Sequence, residues 1–258
     1  LDFNHQADFA KLRQAEDTYV DELYEYVSSI GGIFLEAKFP RSYIDLNRSE
    51  TDFMFDDLNE NHNNAYEIKF SPTIKSELGI GLVWLKTPPN GEPMYKDKIT
   101  LKQLMDRVNI YYRPYHRKLK NILENTYNKF GKFYHVNAHS MQNQAIAMSD
   151  QPEGTIRPDF VIGDREGTTC QRKFTDLIVD FLRGLNYSVD INKPYKGMEL
   201  VKAYSDPLQN MNSVQIEVNR KLYMNEENRE KIDNFKILQK DLEKLINEIK
   251  KQYEEGYL

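Results

Sequence analysis

The alternation of β-rich segments with segments of helical periodicity is the strongest constraint on the fold of this chain. Apolar residues recur at helical spacing over 9–29, and the pattern ends at Gly31. A further helix is predicted over 101–128. Strands are predicted at 33–39, 43–44, 133–138, 159–162, 187–191 and 213–218. This alternation predicts an α/β fold with a mostly parallel, mixed central sheet and helices on both faces.

The connecting segments complete this organisation. Residues 49–64 are polar and are predicted to form a long surface loop, and Pro88 to Gly91 carry a strong turn signal. A polar loop over 163–169 is predicted to lead into a helix whose capping box is Thr168 and Gln171.

The C-terminal segment 226–253 is highly charged and carries one apolar stripe. The stripe favours an amphipathic helix packed on the domain, with an oligomerisation seam as the alternative. No linker is visible, so a single domain over 1–258 is predicted, as a monomer or a weak homo-oligomer. Because Leu1 is not a start methionine, we expect the chain to begin some way into its gene product.

Composition excludes several classes of protein. The 258 residues are 40% hydrophobic, and no apolar run approaches the roughly 20 residues of a membrane-spanning helix, so no membrane association is expected. The net charge of −5 argues against nucleic acid as a partner. Cys170 is the one cysteine, which excludes an internal disulfide and a cysteine-based zinc cluster and favours a cytoplasmic location.

Polar residues at the C-terminal ends of strands are the first candidates for a functional site in an open α/β sheet. His139 is predicted to end one strand, where it could bind a metal, act as a base or only form a hydrogen bond. Glu217 alternates against the apolar face of another strand and is a candidate general base or a solvated carboxylate. Glu16, Asp17 and Asp21 offer carboxylates on the first helix, unless they form a solvent-facing stripe.

Two arginines form a second candidate group. Arg41 and Arg48 lie seven residues apart with Asn47 beside the second, in a segment suited to holding a carboxylate while polarising a carbonyl group. The alternative is a pair of surface ion-pair formers.

The order of these pieces along the chain resembles the N-formylglutamate amidohydrolase family, which is related to the zinc carboxypeptidases and aspartoacylases. The resemblance spans about residues 13 to 224. The matching strings are Asp17–Tyr24, Arg41–Arg48, Arg113–His116, Asn137–Ser140, Asp159–Cys170, Asn192–Gly197 and Gln215–Val218.

This resemblance implies a zinc-carboxypeptidase-like fold and one catalytic Zn²⁺ held by two histidines and a carboxylate. It implies that Asp17 and His139 are metal ligands, with Glu16 as the alternative to Asp17, and that Glu217 is the general base and then the general acid. The oxyanion would be stabilised by Arg41. The residues implied to bind the substrate, a small acyl amino acid, are Asn47, Arg48, Lys196 and Gly197.

Three departures from the family pattern accompany the resemblance. The first metal ligand, a histidine in a Pro-His-Ser/Ala-Gly stretch, is absent, and the setting of His5 lacks its glycine turn. Gly197 is followed by Met198 where a second glycine is expected, and Lys202 stands where an arginine is expected.

The activity that the family resemblance implies is hydrolysis of N-formyl-L-glutamate to formate and glutamate. The alternatives are an aspartoacylase- or peptidase-like hydrolase and an inactive amino-acid-binding module.

Overall fold

Residues 4–59, 69–149 and 151–258 are described by a computed structural model of the chain. The helices in these ranges are α1 (Phe9–Arg13), α2 (Val20–Tyr24), α3 (Ile74–Glu77), α4 (Leu101–Arg107), α5 (Arg113–Phe130), α6 (Arg172–Gly184), α7 (Glu199–Lys202) and α8 (Phe235–Glu254). The strands are β1 (Lys86–Thr87), β2 (Glu92–Pro93), β3 (Phe133–Met141), β4 (Phe160–Gly163), β5 (Val189–Ile191) and β6 (Met211–Asn219). None of the helices in the described ranges is long and apolar enough to cross a membrane.

A four-stranded sheet in the order β3-β6-β4-β5 organises the second half of the chain. The pairs β3–β6 and β4–β5 are parallel, whereas β4 and β6 are antiparallel. The predicted α/β class with a mixed, mostly parallel sheet is therefore confirmed.

The sheet presents an apolar face to the largest hydrophobic core. Along β6, Val214, Ile216 and Val218 are buried in this core, while the alternate residues of the strand are polar. Further core residues come from α2, α6 and α8, among them Leu23, Phe174, Ile178, Leu182, Phe235, Leu238, Leu242 and Leu245. The amphipathic C-terminal helix is thus packed on the domain through its apolar stripe, as its periodicity indicated.

The chain forms two compact units. Unit 1 comprises Leu1–Glu16, Ala37–Lys120 and Ile146–Ser149, and unit 2 comprises Asp17–Glu36, Asn121–Ala145 and Asp150–Leu258. Unit 2 contains the four-stranded sheet. Unit 1 contains a hydrophobic core that includes Tyr43, Ile44, Phe53, Leu82, Leu104 and Val108.

The predicted strands at 33–39 and 43–44 are wrong. Residues 33–37 have no regular structure, and Pro40 begins a turn in which the amide of Tyr43 donates to its carbonyl at 3.0 Å. Tyr43 and Ile44 are nevertheless buried. Their side chains are apolar because they pack in a core, and not because they belong to a strand.

Three helix predictions need correction. The segment 9–29 is not one helix, because α1 ends at Arg13 and α2 begins only at Val20, after Tyr19 with its left-handed backbone (φ 64°). The hydroxyl of Thr168 donates to the carbonyl of Arg165 at 2.7 Å, so it does not cap α6, whose N-cap residue is Gln171. The last helix begins at Phe235 and not at 226.

The loop predictions are confirmed in part. Residues 164–169 form an irregular loop after Gly163, the last residue of β4, and β1 and β2 enclose the predicted turn as an antiparallel pair. The predicted surface loop at 49–64 contains the buried residues Asp52 and Phe53, and its part 60–64 lies outside the described residues.

Candidate active site

Asp17 and His139 are in direct contact in unit 2. Asp17 lies in the turn before α2, where its carbonyl accepts from the amide of Val20, the first residue of the helix, at 3.2 Å. His139 lies within β3, which continues to Met141, so the expectation that it ends the strand is wrong. Nδ1 of His139 lies 3.0 Å from Oδ2 of Asp17, and both side chains are largely buried.

The Asp17–His139 contact is a hydrogen bond whose length also suits two ligands of one metal ion. Zinc binds histidine nitrogen and carboxylate oxygen at about 2.0–2.2 Å, so two ligands of one tetrahedral ion lie about 3.3 Å apart. The observed 3.0 Å is close to this separation. Across the described ranges, however, no group of three or more His, Cys, Asp or Glu residues is placed to hold a metal. Asp17 and His139 are therefore the candidate residues for holding a metal ion.

The alternative donors have other contacts. Glu16 forms an ion pair with Arg13 at 3.2 Å within unit 1, and Nδ1 of His5 is bonded to the carbonyl of Ala7 at 3.0 Å. Asp17, the other of the two adjacent acidic residues, contacts His139.

Ser140 and Arg220 fix the carboxylate of Asp17. The backbone amide and the hydroxyl of Ser140 both donate to Oδ1 of Asp17, at 2.8 Å and 2.9 Å. Nε of Arg220 in turn donates to the hydroxyl of Ser140 at 3.0 Å, and its Nη2 lies 4.0 Å from Oδ1 of Asp17. With Oδ1 held in this way, Oδ2 is directed towards His139.

The role of Arg220 was not predicted from the sequence. The sequence feature that could have pointed to Arg220 is its position directly after the last residue of β6. The residue is buried there, and a buried charge requires partners.

Glu217 lies beside His139 on the neighbouring strand. The two residues are Cα partners in the parallel register of β3 and β6, so their side chains leave the same face of the sheet. Glu217 is buried, and its Oε1 accepts from Nε2 of Gln215 at 2.7 Å. Burial raises the pKa of the Tyr24 hydroxyl, and the charges of Tyr223 and Glu217 raise it further. A carboxylate beside the Asp17–His139 pair, in surroundings with little water, is suited to proton transfer.

Arg41, Asn47 and Arg48 come together around Asp45 in unit 1. Oδ2 of Asp45 accepts from Nε of Arg41 at 2.9 Å and lies 3.7 Å from Nη2 of Arg48. Its Oδ1 accepts from the backbone amide of Asn47 at 2.9 Å. Burial alone would raise the pKa of the Asp45 carboxyl, but the two guanidinium groups hold it below its ordinary value.

The two arginines differ in exposure. The side chain of Arg48 is 5% exposed and also donates to the carbonyls of Ile80 and Asn47, both at 3.2 Å. The side chain of Arg41 is 24% exposed and lies 5.8 Å from the ring centroid of Trp84. Neither is a simple surface ion-pair former, because both share a buried carboxylate.

Tyr112 and His116 hold the segment that carries Asn47 and Arg48. The hydroxyl of Tyr112 donates to the carbonyl of Arg48 at 2.8 Å, and Nε2 of His116 lies 3.0 Å from the carbonyl of Leu46. The two rings stack with centroids 4.0 Å apart.

A π-helical turn at Val108–Tyr112 precedes α5 in this region. Pro114 lacks the amide that would continue the regular hydrogen-bonding pattern, which accounts for an irregular turn at this point.

Lys196 and Gly197 lie in a loop that packs against the end of β4 in unit 2. A Cβ atom at Gly163 would lie 2.6 Å from the backbone nitrogen of Gly197, so only glycine allows this approach. Gly197 has φ 93°, and its carbonyl accepts from Nη1 of Arg165 at 2.9 Å. The ammonium group of Lys196 is exposed and lies 3.5 Å from Glu166.

The sequence-predicted residues therefore form local groups within each unit. Unit 2 brings together Asp17, His139 and Glu217, and unit 1 brings together Arg41, Asn47 and Arg48. Sequence reasoning assigned no supporting role to the residues that hold these groups in place, namely Asp45, Tyr112, His116, Ser140, Gln215 and Arg220.

Two curated proteins are similar to this chain in sequence. N-formylglutamate deformylase of Pseudomonas putida is 25% identical over 220 residues, covering 81% of this chain and 71% of that protein. The N-formylglutamate deformylase of Pseudomonas aeruginosa is 24% identical over 214 residues, covering 82% of this chain and 71% of that protein.

Two solved structures are similar. The crystal structure of N-formylglutamate amidohydrolase from Ralstonia eutropha JMP134 has a TM-score of 0.92 and 39% identity, covering 99% of this chain and 89% of that one. A gene product of Agrobacterium tumefaciens has a TM-score of 0.59 at 15% identity, covering 92% of this chain and 79% of that one, which shows a shared fold. The sequence model described as N-formylglutamate amidohydrolase matches residues 2–224, and the chain belongs to that family.

Proposed function

We propose that this protein is a zinc-dependent amidohydrolase that hydrolyses N-formyl-L-glutamate to formate and glutamate. The observation that carries the proposal is the contact between Asp17 and His139 at 3.0 Å, with Glu217 as the register partner of His139. Two candidate metal ligands beside a buried carboxylate form an arrangement suited to hydrolysis of an amide.

The metal proposal rests on the chemistry of the donors. Asp17 and His139 would hold Zn²⁺, and their spacing fits two ligands of one ion. When bound, zinc supplies a Lewis acid that lowers the pKa of a bound water and polarises the amide carbonyl.

Proton transfer is the role proposed for Glu217. Its carboxylate takes a proton from the attacking water as the new bond to the formyl carbon forms. The same proton then passes to the leaving nitrogen as the carbon–nitrogen bond breaks, which gives formic acid and the free amine of glutamate. Transfer of the acid proton to the amine leaves formate and the ammonium form of glutamate as the products. The burial of Glu217 keeps bulk water from competing for this proton.

Substrate binding is proposed for the arginine group. Arg41, the more exposed guanidinium, stabilises the developing oxyanion, and its pairing with Asp45 fixes its position. Asn47 and Arg48 bind a substrate carboxylate, and Lys196 and Gly197 line the substrate pocket. The cytoplasm is the proposed location, because a lone cysteine suits a reducing compartment.

The test is formate release from N-formyl-L-glutamate by the zinc-loaded full chain. Glu217→Gln is expected to lower kcat by about 10²–10⁴-fold, since it removes the proton-transfer group. Glu227→Gln, at an exposed glutamate of the same unit, serves as the matched control and is expected to keep the wild-type rate. A fully active Glu217→Gln enzyme overturns the mechanism.

Substrate identity is tested in the same assay. N-acetyl-L-aspartate and a glutamyl dipeptide are compared with N-formyl-L-glutamate through kcat/KM. The highest kcat/KM is expected for the formyl compound. A preference for another acyl group would reassign the substrate, and binding without turnover of all three would indicate an amino-acid-binding module.

A further inference from the structure

Three buried polar side chains form a short hydrogen-bonded chain that ends at Glu217. Nδ2 of Asn137 donates to Oε1 of Gln215 at 3.3 Å, and Nε2 of Gln215 donates to Oε1 of Glu217 at 2.7 Å. The exposed fractions of the three residues are 7%, 2% and 7%. The proposed catalytic carboxylate of Glu217 is therefore hydrogen-bonded to polar side chains on its own face of the sheet.

The strand register produces this chain of bonds. Asn137 is the Cα partner of Gln215, and His139 is the partner of Glu217. Residues two apart on a strand share a face, so Gln215 and Glu217 follow one another on the same side of the sheet. The bond from Gln215 is short and ends on a carboxylate, which makes it stronger than a bond between neutral groups.

The bond from Asn137 determines which way the Gln215 amide points. An amide has one oxygen acceptor and one nitrogen donor, and Asn137 binds the oxygen. The nitrogen of Gln215 is consequently directed at Glu217 and not away from it.

We propose that Gln215 is a positioning residue for the proposed reaction. It fixes the plane of the Glu217 carboxylate for proton transfer, and Asn137 fixes the amide of Gln215. This inference rests on the proposed function, because it assigns Gln215 a role through Glu217 only. Gln215 itself touches neither substrate nor metal in this proposal.

The principal variant is Gln215→Met, which keeps the length of the side chain and removes its donor. The expected result is a fall in kcat of about 10–100-fold, with KM for N-formyl-L-glutamate and zinc affinity within about 2-fold of wild type. Ser213→Ala is the matched control. It removes the bond between Ser213 and His135 from the same face of the same strand and is expected to leave kcat unchanged.

A double-mutant cycle separates positioning from general loss of packing. Glu217→Asp keeps a carboxylate but withdraws it from the Gln215 amide by one methylene group. If Gln215 acts through Glu217, adding Gln215→Met to Glu217→Asp produces little further loss, so the two effects are not additive. Additive losses would contradict the inference.

A second variant covers the case in which Gln215→Met does not fold, as judged by circular dichroism. Asn137→Ala leaves Gln215 in place but frees its amide to rotate, and a smaller fall in kcat at unchanged KM is expected. A folded Asn137→Ala or Gln215→Met protein with the wild-type kcat overturns the inference.

The failure of the inference is distinguishable from failure of the proposed function. Suppose that the wild type is active, Glu217→Gln is inactive and Gln215→Met is fully active. This result rejects only the positioning role of Gln215 and leaves the proposed function standing. An inactive wild type, or a fully active Glu217→Gln enzyme, removes both.

Discussion

Asp17 and His139 lie 122 residues apart in the sequence and meet through a contact of 3.0 Å between Oδ2 and Nδ1. The contact joins the turn before α2 to β3, and Ser140 sets its geometry by donating twice to the other carboxylate oxygen. Its formation therefore depends on tertiary packing.

Ser140→Ala is expected to weaken zinc binding by about 10-fold. The variant removes the hydroxyl that links Arg220 to Asp17 but keeps the backbone amide bond, so the loss is partial. Competition with a chromophoric chelator measures the affinity. Ser28→Ala, at an exposed serine of the same unit, is the control, and equal affinities for both variants would contradict the positioning of Asp17 by Ser140.

Asp45→Asn is expected to lower the free energy of unfolding by about 3–5 kcal/mol at pH 7, because it leaves two guanidinium groups without their buried partner. The folded pKa of Asp45 is depressed, so its contribution is present above the unfolded pKa of about 3.9 and is lost as pH falls through the folded value. Urea unfolding at pH 7 and at acid pH checks both statements. Asp97→Asn, at an exposed position of the same unit, should change stability little.

His135 is expected to make stability fall between pH 7 and pH 5. Burial lowers the pKa of His135 to about 4, whereas the unfolded chain takes up the proton near pH 6.5. The unfolded state therefore gains stability as pH falls through this window, by about 2 kcal/mol at pH 5. Unfolding free energies of the wild type and His135→Asn at both pH values test this, and an unchanged pH dependence in the variant would exclude His135 as its source.

Gly163→Ala is expected to displace the loop at Lys196 and Gly197. The added methyl group would lie 2.6 Å from backbone atoms of both residues, which cannot move independently of the loop. We expect a loss of stability of about 1–3 kcal/mol and a raised KM for N-formyl-L-glutamate. The matched control is Gly184→Ala, where an added Cβ meets nothing within 4 Å and KM should stay at the wild-type value.

Tyr112→Phe is expected to raise KM more than it lowers kcat. The variant removes the donor to the Arg48 carbonyl and leaves a buried acceptor with one bond fewer, at a cost of about 1–2 kcal/mol in stability. Steady-state kinetics and thermal unfolding measure the two effects. An unchanged KM would show that the Asn47–Arg48 segment keeps its conformation without this bond.

The sequence patterns predicted the sheet of unit 2 better than the structure of unit 1. Alternation along β6 placed Glu217 opposite its apolar face, because a half-apolar strand has only one orientation that buries Val214 and Ile216. The apolar residues of 33–39 and 43–44 gave a false strand signal, since irregular segments also bury side chains in a core.

For the candidate site, residue types and their order identified the chemical groups but not their supports. Asp17, His139 and Glu217 were candidates from their positions in the predicted elements, and their roles as ligands and base remain predictions from the family resemblance. Arg220 and Gln215 act through contacts that exist only after strands β3 and β6 pair, so local sequence carries little signal for them.

The parallel register of β3 and β6 makes the chemistry sensitive to the length of either strand. Deleting one residue upstream of Glu217 within β6 would turn its carboxylate towards the hydrophobic core while leaving composition and charge almost unaltered. A deletion of two residues would return the Glu217 side chain to the polar face of the sheet, but a different residue would then be the register partner of His139. Natural variation in this region should therefore be confined to substitutions, with insertions and deletions tolerated only in the loops outside the paired residues.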